Sequence, residues 1–467
     1  MVLRVVIKNA CRLRGHGFGR PFAFLVALLL LLTASVLEAR GRKPDQGKSV
    51  IELGALLTMS ATGDPDTQAA VRLAVKDVNT FFTLCGTVHG RGPHSRLRPT
   101  IEGTSLDPDV AVAKSSPFAV RILKDVHAFF ALCGAGHGRG PHSRIRLTIE
   151  GTGLAPDVAL EKIAILAARG LRVVIGPESS AEVETIIPFT DANDLVLLSH
   201  CSTAPALAIP GDSVYRLVPS DRHQAAAIAR LIHENGHHAI VPLWRAGVWG
   251  DDISSAARQQ FAALGGTVYP GVRFDPEATD FSGDLAALHA QVADARASFG
   301  DAVAVAFFSF GTEGAAVLAQ AADIPALGTV AWYGSDGTAL SREILGEPRA
   351  AQFALQTGFF NTLFADVHTP KADAVRERIS AAIGGGGVHF CATAAYDAVW
   401  LAALSAAAVG TEDLDSFKLA LATIADSYEG ATGRTTLDAA GDRADAAYDV
   451  WAIEEENGQY VWKPVTP

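Results

Sequence analysis

The feature that most constrains this chain is a succession of short apolar runs, each followed by a small polar loop and then by apolar residues at helical spacing. The first run is 50–57 (VIELGALL), and Ala69, Val71, Leu73, Ala74, Val75 and Val78 then recur on one helical face. Later runs are 171–175 (LRVVI), 195–199 (LVLLS), 239–243 (AIVPL), 303–308 (VAVAFF) and 329–333 (TVAWY). A strand with one wet face alternates apolar and polar residues, whereas a strand covered on both faces reads as a continuous apolar run. Alternation of such runs with helical segments predicts parallel sheets with helices on both faces, wound by right-handed crossovers. The expected fold class is α/β with doubly wound parallel-sheet lobes, and 467 residues, at about 150 per domain, suggest two or three domains.

The first forty residues follow a different logic. Arg4, Lys8, Arg12, Arg14 and Arg20 precede the apolar run 21–37, and small residues Ala34, Ser35 and Ala39 close it. A basic segment, an apolar core and small residues read as a secretory signal over 1–40, giving a periplasmic or extracellular location. Left uncleaved, the same run is a membrane anchor. Beyond residue 40 no uninterrupted apolar run reaches spanning length. Of Cys11, Cys85, Cys133, Cys201 and Cys391, those left after cleavage can pair in an oxidising compartment, in combinations the sequence leaves open. The net charge of −11 argues against a nucleic-acid partner.

Residues 76–111 reappear at 124–159 with most positions identical, sharing FF-x-LCG-x-x-HGRGPHSR-x-R-x-TIEGT. Two copies make a tandem duplication and not a solenoid. The second copy runs directly into the helical pattern 157–169, and Pro99 of the first stands where the second has Leu147. Proline removes a ladder hydrogen bond, so the later copy is expected in the sheet, and the earlier one is expected to loop out or to displace its twin in part. Each copy also carries a thiolate and two imidazoles, Cys85, His89 and His94, then Cys133, His137 and His142, which suit zinc. The spacing matches no usual ligand pattern, and Arg91, Arg96 and Arg98 would repel a cation, so no metal or other cofactor is expected. G-x-S-x-G, Walker and H-E-x-x-H motifs are absent, and no catalytic residue is expected.

Three loops at strand carboxyl ends, where open parallel sheets bind ligands, carry hydroxyls or an acid: 176–180 (GPESS), 199–205 (SHCSTAP) and 334–337 (GSDG). Ser180 and Thr203 can donate hydroxyl hydrogen bonds, and helical N–H groups near Ala181 add to them, which makes a carboxylate site. Asp336 offers the charge for an ammonium, so the set fits an α-amino acid. The plainer reading is that these hydroxyls are only helix caps.

Several motifs in order give a resemblance: IELGALLTMSATGD, LAPDVALEKIAILAARGLRVVIGPESSAEV, LLSHCSTAPALAIPGDSVYRLVPSD, WYGSDGTAL and YEGATGRTTLDAAGDRADAAYDVWAI. From Val50 to Trp462 the chain resembles the type I periplasmic binding proteins, especially the branched-chain amino-acid binding family of ABC importers. The resemblance implies two lobes joined by three crossovers near Pro219 and Ser220, near 356–360, and near Thr435 and Thr436. It gives a first lobe of 50–220 plus 357–435 and a second of 221–356 plus 436–467. It also implies a ligand closed in by Ser180, Ser202, Thr203, Trp249, Phe310 and Asp336, and an ABC transporter permease as partner. Trp249 stands where the family often has a tyrosine, and Gly151 where an aspartate is common. Membrane contact is then expected only through the transporter or an amino-terminal anchor. Two other readings are a membrane-anchored ligand sensor and a metal-dependent enzyme built on the repeat.

Overall fold

The computed structural model of the chain describes residues 50–58, 65–89, 100–101, 104–105, 144–385 and 387–465. The segment 1–40, residues 90–99 and 106–143 of the repeat, and the side chains of Cys85 and His89 lie outside them, and the Cys/His metal set with them. The chain divides into two compact units, one of Met1–Ile51, Lys76–Arg146 and Ala403–Gly410, the other of Glu52–Val75, Leu147–Ala402 and Thr411–Pro467.

In the first unit the duplication is resolved by sharing. Helix α1 (Pro65–His89) runs into the first copy, whereas strand β4 (Arg144–Gly151) belongs to the second. Among the described residues of the earlier copy's own strand segment there is a short antiparallel pair, β2 (Thr100–Ile101) with β3 (Thr104–Ser105). The later copy therefore supplies the strand, as Pro99 suggested, and of the two expected outcomes for the earlier copy it is partial displacement of its twin that occurs, because its helix is used. One reason is chemical. The Asn79 carboxamide accepts from the Ile145 N–H at 2.7 Å and donates to the Ile145 carbonyl at 3.1 Å. The second copy has His127 at the equivalent place, and an imidazole cannot present a donor and an acceptor side by side in that way.

The second unit holds the body of both sheets. The first sheet has the order β16-β7-β6-β5-β1-β4. Its strands β1 (Val50–Leu57), β5 (Val173–Ile175), β6 (Val196–Ser199) and β7 (Val214–Pro219) pair in parallel, with β16 (Asp442–Arg443) on the edge. Helices α2 (Pro156–Ala168) and α3 (Ser180–Ala192) cover a face, burying Ile163, Leu166, Val183 and Ile186 against Leu56, Val174 and Leu197.

The second sheet runs β10-β8-β11-β12-β13-β17-β18, with β9 (Thr267–Val268) beside β8. From β10 (Val272–Phe274) through β8 (Ala239–Arg245), β11 (Val303–Phe308), β12 (Ala331–Gly334) and β13 (Phe360–Phe364) all pairs are parallel. Strand β11 shows why its sequence is apolar throughout. Val303, Val305 and Phe307 enter one core with Leu285 and Leu288 of α6 (Ser282–Phe299). Ala304, Ala306 and Phe308 enter the other, with Ile228 of α4 (Asp221–Glu234) and Ile253 of α5 (Val248–Ala263). The sheet departs from pure parallel pairing at its carboxyl-terminal edge, where β17 (Tyr448–Glu456) and β18 (Gln459–Pro464) form an antiparallel hairpin. Asn457 and Gly458 turn it with φ of 52° and 78°, the two left-handed positions that an Asn-Gly turn supplies.

The connection 311–357 includes α7 (Gly311–Ala321), α8 (Arg342–Gly346) and α9 (Pro348–Thr357). After β13 come α10 (Pro370–Ala382), α11 (Phe390–Val409), α12 (Leu414–Ala425) and the small pair β14 (Glu429–Gly430) with β15 (Gly433–Arg434). Helix α11 is long and apolar enough to cross a membrane by length and composition, yet 83% of its most apolar stretch is buried, as in a core helix.

Candidate functional site

The candidate site grows from three loops at strand carboxyl ends. After β5 the chain enters α3, and the residue that caps this helix is Ser179, in a reciprocal capping box with Glu182. The capping role is thus taken, and Ser180 is left for other contacts. Its Oγ lies 3.1 Å from Ser202 Oγ and accepts the Ala204 N–H at 3.3 Å. Thr203 Oγ1–H donates to Asp221 Oδ2 at 2.8 Å, and the Asp221 N–H donates back to the Thr203 carbonyl at 2.9 Å.

Two fastenings hold this loop. Arg216, fully buried, donates to the Ala204 carbonyl at 2.7 Å and grips Asp442 through Nε and Nη2, both at 2.5 Å. Cys201 is joined by a disulfide to Cys391 at the start of α11, with Cα atoms 4.9 Å apart. The pairing left open by the sequence is thereby settled for these two. With His389 they form a cluster whose potential ligand atoms lie within 4.8 Å of one another. A metal needs thiolates, and sulfurs bonded to each other are not thiolates.

The opposite wall is aromatic. Trp249, in the first turn of α5, donates its indole N–H to Thr203 Oγ1 at 3.1 Å. It stacks on Phe310 with ring centroids 4.7 Å apart. The Arg245 guanidinium lies 4.1 Å over the Phe310 ring and pairs with Glu313 at 2.7 Å. Gly337 is required here: a methyl on it would come within 2.7 Å of Trp249 Cη2 and 2.5 Å of the Ser309 carbonyl oxygen.

Thr203, Asp221 and Asp336 meet at a narrow cavity whose other walls are Pro219, Gln224, Phe364, Phe390 and Tyr448. Asp221 Oδ1 and Asp336 Oδ1 are both buried with no hydrogen-bond partner, although the rest of Asp336 is only half-buried. Burial pushes the Asp336 carboxyl up to about 6, against hydrogen-bonding groups of Ser335, Gln224 and Gly337 that favour its charge. Burial and then the Asp336 charge push Asp221 well above the carboxylate range. Burial and the two acids raise the Tyr448 phenol in the same way.

All six residues expected from the sequence therefore fall in one neighbourhood. Asp221, Gln224, Phe364, Phe390 and Tyr448 were not foreseen. Asp221 had a readable signal: it follows a strand's carboxyl end at Ser220, the same position that made the 334–337 loop a candidate. The aromatics come from distant segments and carry no local signal.

Two mostly parallel sheets with helices between their strands are the fold of the type I periplasmic binding proteins. The chain belongs to the family described as the receptor family ligand binding region, whose model matches residues 135–456. Family and fold are those of binding proteins and not of enzymes. A leucine binding protein, LivK, from Thermotoga maritima shares the fold at a TM-score of 0.63 and 17% identity, over 89% of this chain and 99% of that one. The branched-chain amino acid transporter substrate binding protein LivJ from Streptococcus pneumoniae, in complex with isoleucine, gives 0.62 and 18%, over 90% of this chain and 100% of that one. In sequence the chain is 29% identical to an uncharacterized protein of Methanocaldococcus jannaschii, over 64% of this chain and 74% of the relative.

Proposed function

We propose that the protein is an extracytoplasmic substrate-binding protein that captures an amino acid or close analogue and delivers it to an ABC importer, without catalysing a reaction. The single observation that carries this reading is the pair of partnerless buried carboxylate oxygens, Asp221 Oδ1 and Asp336 Oδ1, beside the cavity. An unpaired buried acid is costly, and a ligand ammonium is the group that relieves it. The hydroxyls of Ser180, Ser202 and Thr203, with the N–H groups that open α3, suit the carboxylate end of the same ligand. Trp249 and Phe310 then serve as the apolar wall. In this reading the lobes exchange chain near Pro219 and Ser220, near 356–360 and near Thr435 and Thr436, although β13, which follows the second of these, lies in the second sheet and β16, which follows the third, lies in the first. Export rests on the segment 1–40, and a retained anchor there would make the same lobes a sensor.

The test is calorimetry with a panel of amino acids on the wild type and on Asp336→Ala. Removal of the carboxylate is expected to weaken binding by at least about 2 kcal/mol, roughly thirtyfold or more, with the fold retained by circular dichroism. Unchanged affinity in the variant rejects the site.

A further inference from the structure

We propose that, once the Cys201–Cys391 bond is reduced, the two sulfurs and the His389 imidazole form a binding site for a thiophilic divalent cation, zinc above all. The potential ligand atoms of these three residues all lie within 4.8 Å of one another. Donors that share one ion must be about that close, because two ligands each about 2.3 Å from a metal stand no more than about 4.6 Å apart. Cys201 sits in the loop that follows β6, whereas His389 and Cys391 flank Phe390 at the entry to α11. His389 precedes the helix and Cys391 is its second residue. The Cys391 N–H donates to His389 Nδ1 at 3.4 Å, which keeps the imidazole beside the cysteine. A sulfur in the first turn of a 20-residue helix lies where the helix dipole favours an anion, and the thiolate is the form that binds metal. Cys391 is buried, while Cys201 and His389 are half-buried and give a reductant or an ion its approach.

The site opens by thiol–disulfide exchange. A dithiol reductant gives two electrons to the S–S bond and is itself oxidised to a disulfide, and its two protons pass to Cys201 and Cys391. Zinc then displaces both protons to solvent, leaving two Zn–S bonds and one Zn–N bond. A tetrahedral centre sets the sulfurs about 3.8 Å apart, a separation that side-chain rotation supplies while the Cα atoms stay 4.9 Å apart. Three protein ligands leave the fourth position to water. Disulfide and metal exclude each other, yet either one ties the loop that carries Ser202 and Thr203 to α11. Reduction with zinc present therefore exchanges a covalent tie for a coordinate one, and reduction without it leaves the loop untied.

The experiment is metal titration of the full chain after reduction by a phosphine and removal of the phosphine without oxygen. Cobalt reports thiolate ligation through near-ultraviolet charge transfer, and zinc affinity is read by competition with a chromogenic chelator. The reduced wild type is expected to bind about one zinc more than the double variant Cys201→Ser, Cys391→Ser, whose remaining cysteines set the background. Reoxidation should abolish that additional zinc. His389→Ala should weaken it by about tenfold or more, since losing even the hydrogen-bond partner behind a ligand costs that much. His389→Ala keeps both sulfurs, so it preserves the test should the serine variant not fold. Equal zinc uptake by the reduced wild type and the serine variant, uptake that survives reoxidation, or an affinity unmoved by His389→Ala each overturns the site.

Discussion

The two sides of the candidate site are fastened by different physics. On the side of the first sheet, residues 201–204 are held by a disulfide to α11 and by Arg216, which sits in a bidentate buried pair with Asp442 while it grips the Ala204 carbonyl. On the side of the second sheet, Trp249 and Phe310 are held by stacking, one indole hydrogen bond and a guanidinium over a ring. A covalent link and a desolvated ion pair are all-or-none devices, whereas stacked rings are sums of small contacts that can be retuned by substitution. The difference teaches where change is tolerated: the polar wall is preset and tied to the stability of the fold, and the aromatic wall is where selectivity can drift.

Breaking the preset wall should give the largest effect. Asp442→Ala leaves the fully buried Arg216 charge without its partner, and this is expected to cost about 3–5 kcal/mol of unfolding free energy in urea. A cost below about 1 kcal/mol would mean that Arg216 finds relief elsewhere, and the contrast between the walls would weaken. Next comes the disulfide, which closes a sequence separation of 190 residues. The double variant Cys201→Ser, Cys391→Ser is expected to lose about 2–4 kcal/mol, and a reductant should lower the wild type by the same amount while leaving the variant unchanged. Equal sensitivity of both proteins to reductant would rule out this bond as the fastening.

Much of this was legible beforehand, and the rest was not for physical reasons. Strands such as Val303–Phe308 announce themselves because burial on both faces removes every polar residue. Ser180, Thr203 and Asp336 stood out as candidates because strand carboxyl ends gather ligand contacts, and a hydroxyl or acid there is conspicuous, while Ser202 came through the resemblance. Asp221 was missed because an acid in the first turn of a helix looks like a dipole partner, and nothing local says that its Oδ1 faces a cavity. Tyr448, Phe364 and Phe390 arrive from β17, β13 and α11, so only the assembled chain brings them together. The shared use of the duplication was half visible. Pro99 marked the weaker strand, but the preference for Asn79 over His127 depends on a two-sided bond to Ile145 that no sequence pattern displays.

The finest test separates the two walls by protonation. Asp336 sits at about 6, above its ordinary 3.8, mainly through burial. For the free protein, a raised carboxylate contributes stability in its protonated form: the contribution is full below 3.8 and is lost as pH rises through about 6. Ligand binding has the opposite sign, because an ammonium engages the ionised acid. Affinity should be full above about 6 and fall as pH drops through it, by roughly tenfold between pH 7 and pH 5. Asp212 is also pushed up to about 6, so a stability profile alone does not isolate Asp336, whereas affinity does, since Asp212 does not line the cavity. Burial and the neighbouring acids also raise Asp221 and Tyr448, which line the same cavity. In Asp336→Asn the remaining affinity should lose most of its dependence on pH between 5 and 7. A wild-type affinity that is flat over that range would place the ammonium against another group and leave the aromatic wall without its charged anchor.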